Sequence, residues 1–240
     1  MARAHEVLGG RWTLLVVREL LCGSRRFNDI RRGIPRISRT VLSERLQALI
    51  HAGALTREDG EHGPAYALTE AGGELAILVG ALGVWGQRWL ARQADLEDLD
   101  LEPLLLDMQR RVRFATLPRD PLVVRVEVGG HPRRFLLLKP AEASFCHQNP
   151  GFPEPLVLRG PIHALVSWWR GDLTFIEARR AGLSLEGPKA LTRAFPGWFE
   201  RYAFAGVGPA GEPPAEVGVG SRVPKRSKPG QDSVPHNTAH

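Results

Sequence analysis

Cysteine is scarce: Cys22 and Cys146 are the only two in 240 residues. Two thiols cannot build a disulfide framework, which suits a reduced, cytoplasmic protein. No apolar run approaches the roughly 20 residues that a membrane helix needs, and no basic-apolar-small leader opens the chain, so no membrane partner is expected. The sequence has no phosphate-binding loop, no GxSxG elbow and no HExxH. Neither His131 nor His163 has a partner at metal-ligand spacing. Cys146 and His147 adjoin, but neighbours on a strand point to opposite faces, so they cannot work as nucleophile and base. These absences argue against an enzyme, a metal site and a cofactor.

What is present is basic charge and helical punctuation. The formal charge is +6, which favours a polyanionic partner without specifying a fold. The length suits two domains. Ala2 to Leu8 reads as a helix ended by Gly9-Gly10, and Trp12 to Leu21 as a second, with Arg18 and Glu19 on its outer side. A short helix follows over Asn28 to Arg32. Ser38 is a good N-cap for a helix from Arg39 to Ala52, whose Leu42, Leu46, Leu49 and Ile50 share one face. Ala54–Arg57 and Ala65–Leu68 read as strands joined by turn residues, a wing behind a recognition-type helix. Thr69 caps a long helix to about Arg92, with a stripe of Leu75, Leu78, Val79, Leu82, Trp85 and Trp89 that needs a partner surface.

Seven arginines lie between Arg25 and Arg45, against only Asp29 and Glu44. Such a cluster neutralises phosphates and releases counterions. A capped helix N-terminus adds donors and partial positive charge. The candidate double-stranded DNA contacts are Arg25, Arg26, Arg36, Ser38, Arg39, Thr40, Ser43, Arg45 and Gln47, with Arg57 and His62 on the wing. Arg39 is of the residue type that can read guanine O6 and N7 bidentately. Glu58, Asp59 and Glu61 make the wing tip acidic, which opposes minor-groove contact.

The first ~93 residues resemble the HxlR-type winged-helix regulators. The resemblance is carried by Leu8-Gly9-Gly10-Arg11-Trp12, Arg18-Glu19-Leu20, Arg26-Phe27, Ile37-Ser38, Val41-Leu42-Ser43, Arg45-Leu46, Gly53-Ala54-Leu55, Arg57, Tyr66, Leu68-Thr69, Gly72 and Trp85-Gly86. It implies a homodimeric transcription factor, in the repressor sense, on a pseudo-palindromic operator. The first and last helices of the domain would form the dimer interface, through Leu8 and the stripe from Leu75 to Trp89. Many relatives carry a sensing cysteine just before the first helix. Either that sensor is missing here or the natural start lies upstream, and Cys22 reads as a buried helix residue.

Residues 94–100 are polar and acidic and read as a linker between a mainly-α winged helix-turn-helix at 1–93 and an α+β unit at 101–205. The second unit opens with a helix carrying Leu101, Leu104, Leu105, Met108 and Val112. Strands over Leu122–Val128, Arg134–Lys139, Ala143–Gln148 and Leu156–Arg159 follow, then helices over Pro161–Trp169 and Asp172–Ala181. A last strand, Leu183–Glu186, precedes a last helix, Pro188–Phe195. This order, with Leu156–Pro161 leading into an apolar helix, resembles the sterol-carrier-protein fold. That resemblance implies an apolar small-molecule ligand, with Phe145, Trp168, Trp169, Phe175, Phe195, Trp198 and Phe199 as candidate lining. A lipid or sterol carrier that uses its N-terminal domain only to dimerise is the alternative reading. From about residue 206 to 240 the chain turns to Gly, Pro, Ser and Lys and is expected to be disordered.

Overall fold

Glycines, caps and a leucine stripe set the first half of the chain. In the computed structural model, which describes residues 1–61, 63–90 and 99–208, helices α1 (Ala2–Leu8), α2 (Thr13–Leu21), α3 (Phe27–Gly33) and α4 (Arg39–His51) precede a hairpin, β1 (Leu55–Gly60) and β2 (Gly63–Leu68), and the long helix α5 (Glu70–Trp89). Trp12, at the N-cap of α2, holds φ 78°. That left-handed backbone costs a bulky residue on the order of 1–3 kcal/mol, and the Arg11 guanidinium lies 4.6 Å from its ring centre. Helix α4 buries Leu42, Leu46 and Leu49, the stripe its spacing predicts, against Val16, Val17, Ile30 and Ile37. Each such side chain contributes roughly 1.5–3 kcal/mol by leaving water.

The hairpin runs further towards its tip than the turn chemistry suggests. Leu55 pairs with Leu68 and the ladder continues to Gly60 opposite Gly63, so Asp59, Gly60 and Pro64 belong to the ladder rather than to the loop. Tyr66 N–H donates to the Arg25 carbonyl at 2.8 Å, and Arg26 bridges Ala65. The chain entering α3 is thereby laced to the wing. Thr69 caps α5 by accepting from Gly72 N–H. A Cβ on Gly72 would stand 2.0 Å from the Ala54 carbonyl oxygen, so this helix–strand approach needs glycine. Helix α5 ends at Trp89, short of Arg92. His62, most of the expected 94–100 linker, and 209–240 of the expected tail lie outside the described residues.

The second half is an α+β layer. Helix α6 (Leu101–Arg110) leads into β3 (Leu122–Val128), β4 (Arg134–Lys139), β5 (Glu142–Cys146) and β6 (Leu156–Gly160). Then come α7 (Ile162–Arg170), α8 (Phe175–Arg180), β7 (Ser184–Glu186) and α9 (Lys189–Ala194). The sheet order is β5-β4-β3-β6-β7. β3 and β6 are parallel, with Val124 opposite Leu156, and the other pairs are antiparallel. Period-2 alternation turns Val124, Val126, Leu136, Leu138, Leu156 and Leu158 into the core shared with α6 and α7. The opposite face holds a small cluster of Val123, Phe135 and Leu137, and the Arg159 ion pairs to Glu127 and Glu186. Helix α8 starts at Phe175, later than expected, because Thr174 and Glu177 form a reciprocal capping box.

One correction concerns Glu19. It does not face solvent beside Arg18 but is 2% exposed, because Gly33 of α3 lies against its carboxylate and Arg110 reaches it from α6. Its carboxylate accepts from Arg18 Nη2 at 2.7 Å and Arg110 Nη2 at 2.8 Å. Arg110 also donates to Ser24 Oγ at 2.7 Å, and Arg18 to the Gly33 carbonyl at 3.1 Å. A Cβ on Gly33 would lie 2.0 Å from Glu19 Oε2, so glycine there makes room for the carboxylate. Breaking a buried pair on one side costs about 3–5 kcal/mol. Because Arg18 remains on Glu19, Arg110→Met is expected to lower unfolding stability by roughly 3 kcal/mol, read from urea denaturation. A loss below about 0.5 kcal/mol, the scale of an ordinary surface substitution, would refute this role.

Candidate nucleic-acid interface

Helix α4 is placed by its leucine stripe, so the residues between the leucines are set outward. Arg39, Thr40, Ser43 and Gln47 are all exposed. Ser38 Oγ accepts from Val41 N–H at 3.2 Å, which fixes the N-terminal turn and leaves its remaining backbone donors facing outward. Arg25 and Arg26 are exposed where the chain is laced to the wing, and Arg26 Nη1 donates to the Gly63 carbonyl at 3.2 Å. These residues form one basic face on α4 and the wing root.

Besides Arg26, three of the expected arginines have protein partners that the sequence conceals. Arg45 is half-buried. Its Nε is out of solvent without a hydrogen bond, and its guanidinium lies against Gly10, where an added Cβ would be 3.0 Å from Nη1. Arg45 therefore stands apart from the exposed set, packed on the α1–α2 turn. Arg36, half-exposed, has Nε 3.7 Å from Asp100 Oδ2, a contact to the residue that starts α6. Arg57 donates through Nε and Nη2 to Asp59 Oδ1 at 3.0 and 2.8 Å. That hydrogen bond raises the Arg57 pKa above its ordinary value and spends its charge on the wing itself.

Helix α5 carries its stripe on two sides. Leu75 and Val79 pack on the helix-turn-helix core, while Leu78, Leu82, Trp85 and Trp89 are exposed together with Ile77, which the stripe omitted. Leu8 is half-buried. Cys22 is exposed, not buried, because α2 ends at Leu21 and leaves it as the C-cap.

The aromatic residues of the second half pack on one another. Trp168, Trp169, Phe195, Trp198 and Phe199 are buried core. Neighbouring rings, including Trp168 with Phe175, have centroids 5.1–6.4 Å apart, in mostly edge-to-face contacts that fill space. Phe145 is half-buried, with its N–H on Gln109 Oε1 at 2.8 Å. Of the seven, only Trp169 borders the large open cleft, about 910 Å³, that runs between α2, α5, α6 and α7. Among the described residues no helix is long and apolar enough to cross a membrane.

A three-helix platform, an outward-facing capped helix and a laced hairpin together define a winged helix-turn-helix protein. A model of the HxlR-like helix-turn-helix matches residues 7–94. The HTH-type transcriptional regulator YvaP of Bacillus subtilis is 37% identical over 91 residues, which cover 37% of this chain and 84% of YvaP. The mycobacterial regulator Rv3095 is 40% identical over 95 residues, 38% of this chain and 60% of Rv3095, so the chain spans less than two thirds of that relative. The solved reduced form of the B. subtilis regulator YodB is 31% identical, with a TM-score of 0.34, covering 40% of this chain and 95% of YodB. The chain belongs to the HxlR family of helix-turn-helix transcriptional regulators.

Asp59→Ala frees Arg57 for a phosphate. Log affinity for a mixed-sequence duplex is then expected to fall more steeply with log salt, by about 0.9 in slope, as followed by fluorescence anisotropy. An unchanged slope would show that the wing stays off the backbone.

Proposed function

We propose that the protein is a cytoplasmic, homodimeric repressor that seats one α4 per protomer in successive major grooves of a pseudo-palindromic operator. The observation that carries this reading is the outward row Arg39, Thr40, Ser43 and Gln47 opposite the buried Leu42, Leu46 and Leu49. A helix so disposed presents a bidentate arginine and short polar side chains to base edges. Arg25, Arg26, Arg36 and Ser38 flank it as backbone contacts, with Arg57 in reserve behind Asp59 and Arg45 as a packing residue. Repression follows most simply from occupancy, since a bound dimer excludes other proteins from the same duplex.

The exposed stripe of Leu78, Leu82, Trp85 and Trp89 supports the dimer, because a contiguous apolar face on a soluble regulator marks an interaction surface. In the second half, the element order from α6 to α9 and the apolar helix after Leu156–Pro161 support a sterol-carrier-like layer, although its aromatic residues pack on one another rather than around an apolar effector. An effector acts only by binding one of two states better. Membership of a regulator family speaks against a carrier that merely dimerises through its N-terminal half.

Two substitutions on α4 separate reading DNA from holding the fold. Arg39→Ala is expected to weaken duplex binding and reduce the salt slope by about one, while leaving the melting temperature unchanged. Arg45→Ala is expected to lower the melting temperature with little change in slope. The opposite pattern in anisotropy and calorimetry would sink the placement of α4. Trp85→Glu is expected to convert a dimer to a monomer by light scattering, and a dimer surviving it would move the interface elsewhere.

A further inference from the structure

We infer that the cleft between α2, α5, α6 and α7 binds a small amphipathic monoanion, an aromatic or alkyl body carrying one carboxylate or similar acid. A role for that molecule as effector rests on the regulator reading above; the binding itself does not. The cleft, about 910 Å³, lies near the upper end of the roughly 300–1,000 Å³ typical of small-molecule sites. Trp12, Leu15 and Val79 face it from the helix-turn-helix half, and Val166, Trp169 and Phe204 from the other. An occupant that spans the cleft touches both cores. Phe204 is seated at the rim because Gly83 on α5 lets its ring approach, an added Cβ falling 2.2 Å from Cζ.

The polar groups select the sign of the ligand. Arg18, Arg36, Arg110, Arg111 and Arg170 line the cleft against Glu19, Asp100 and Asp107. The two central carboxylates are already engaged. Glu19 takes Arg18 and Arg110, and Asp107 takes Arg111 Nε at 3.0 Å and Trp169 Nε1 at 2.8 Å. Each guanidinium has five N–H donors; Arg18 gives three bonds, to Glu19 and the Gly33 carbonyl, Arg110 two, to Glu19 and Ser24, and Arg111 one, to Asp107, while Arg170 is held by Asp172 and Gln87. Tyr202 lines the same wall, and desolvation holds its phenol protonated to a higher pH than usual, keeping it a donor. The cleft thus offers donors in surplus and acceptors already spent. A cationic ligand or a bare apolar one wastes this arrangement, and an apolar helix from a second copy would bury guanidinium donors with nothing to accept them.

The test titrates 2-naphthoate, and its uncharged twin 2-naphthalenemethanol, into the full chain by isothermal calorimetry. One site per chain is expected for naphthoate, with the alcohol weaker by at least about tenfold, the worth of a charge-assisted hydrogen bond. Val166→Trp fills the cleft from α7. Ala76→Trp fills it from an exposed position on α5 and keeps the test open should the first variant fail to fold. Each is expected to weaken naphthoate binding by at least about tenfold, while Ile176→Ser, an exposed apolar residue outside the cleft, leaves it unchanged. No saturable binding, equal affinity for acid and alcohol, or binding indifferent to both tryptophans would each overturn the inference. Duplex binding by the same samples is measured separately. Naphthoate binding without duplex binding would sink the regulator reading and leave the site standing, and duplex binding without naphthoate would do the reverse.

Discussion

A single buried carboxylate ties the two halves of this protein together. Glu19 lies on α2, in the core that positions α4, and Arg110 reaches it from the last turn of α6, 91 residues away. Desolvating two charges is costly, and the attraction repays it only when the remaining donors and acceptors are satisfied. Here they are: Arg18 takes the other oxygen, Ser24 takes a second bond from Arg110, and Gly33 clears the space. Such a pair adds little stability over an apolar contact of the same size. What it adds is a defined position of α6 on α2 and α3, since apolar surfaces slide where a bidentate network does not.

That fixed position reaches the DNA-facing elements by short routes. Arg32, at the end of α3, lies 5.9 Å from the Phe145 ring centre on β5, and Arg36, between α3 and α4, faces Asp100 at the start of α6. Helix α5 closes the frame from the other side. Its buried Gln87 accepts from Arg170 on α7 at 3.1 Å, while its Leu75 and Val79 belong to the helix-turn-helix core. One helix therefore contacts both cores and still leaves Leu78, Trp85 and Trp89 to solvent. A change in the angle between the cores would move the exposed stripe and α4 together.

Local signals made most of this legible. Ser38, Thr69 and the leucine spacing on α4 marked helix starts and faces that the structure keeps, because caps and 3.6-residue periodicity act within a few residues. The strands of the second half were readable from the sequence for the same reason. The failures share a cause. Glu19 is polar and flanked by Arg18, so the pattern sends it outward; its burial depends on Arg110, which no local rule connects to it. Arg45 is indistinguishable in sequence from Arg39, and only the closeness of Gly10 draws it inward. The aromatic residues of α7 and the 195–199 segment were legible as apolar, but whether such rings line a hole or fill one is decided by packing across elements. In this protein they fill it, and the open space lies between the two cores.

The charge map of the DNA-facing side follows from these pairings. Asp59 holds Arg57 on the wing, and Asp100 faces Arg36 near the base of α4, whereas Arg39 projects from the first turn of α4 into solvent. Exposed ion pairs of this kind are worth about 0–1 kcal/mol and weaken with salt. A phosphate reaches such an arginine only by displacing the carboxylate, which is why the pairs matter to the salt dependence. For Arg57 the exchange stays within the wing. For Arg36, on the function proposed above, it would withdraw a contact from the first residue before α6, so that a bound duplex and the second half of the protein would draw on the same guanidinium. On that reading, binding at α4 would be coupled to the seating of α6.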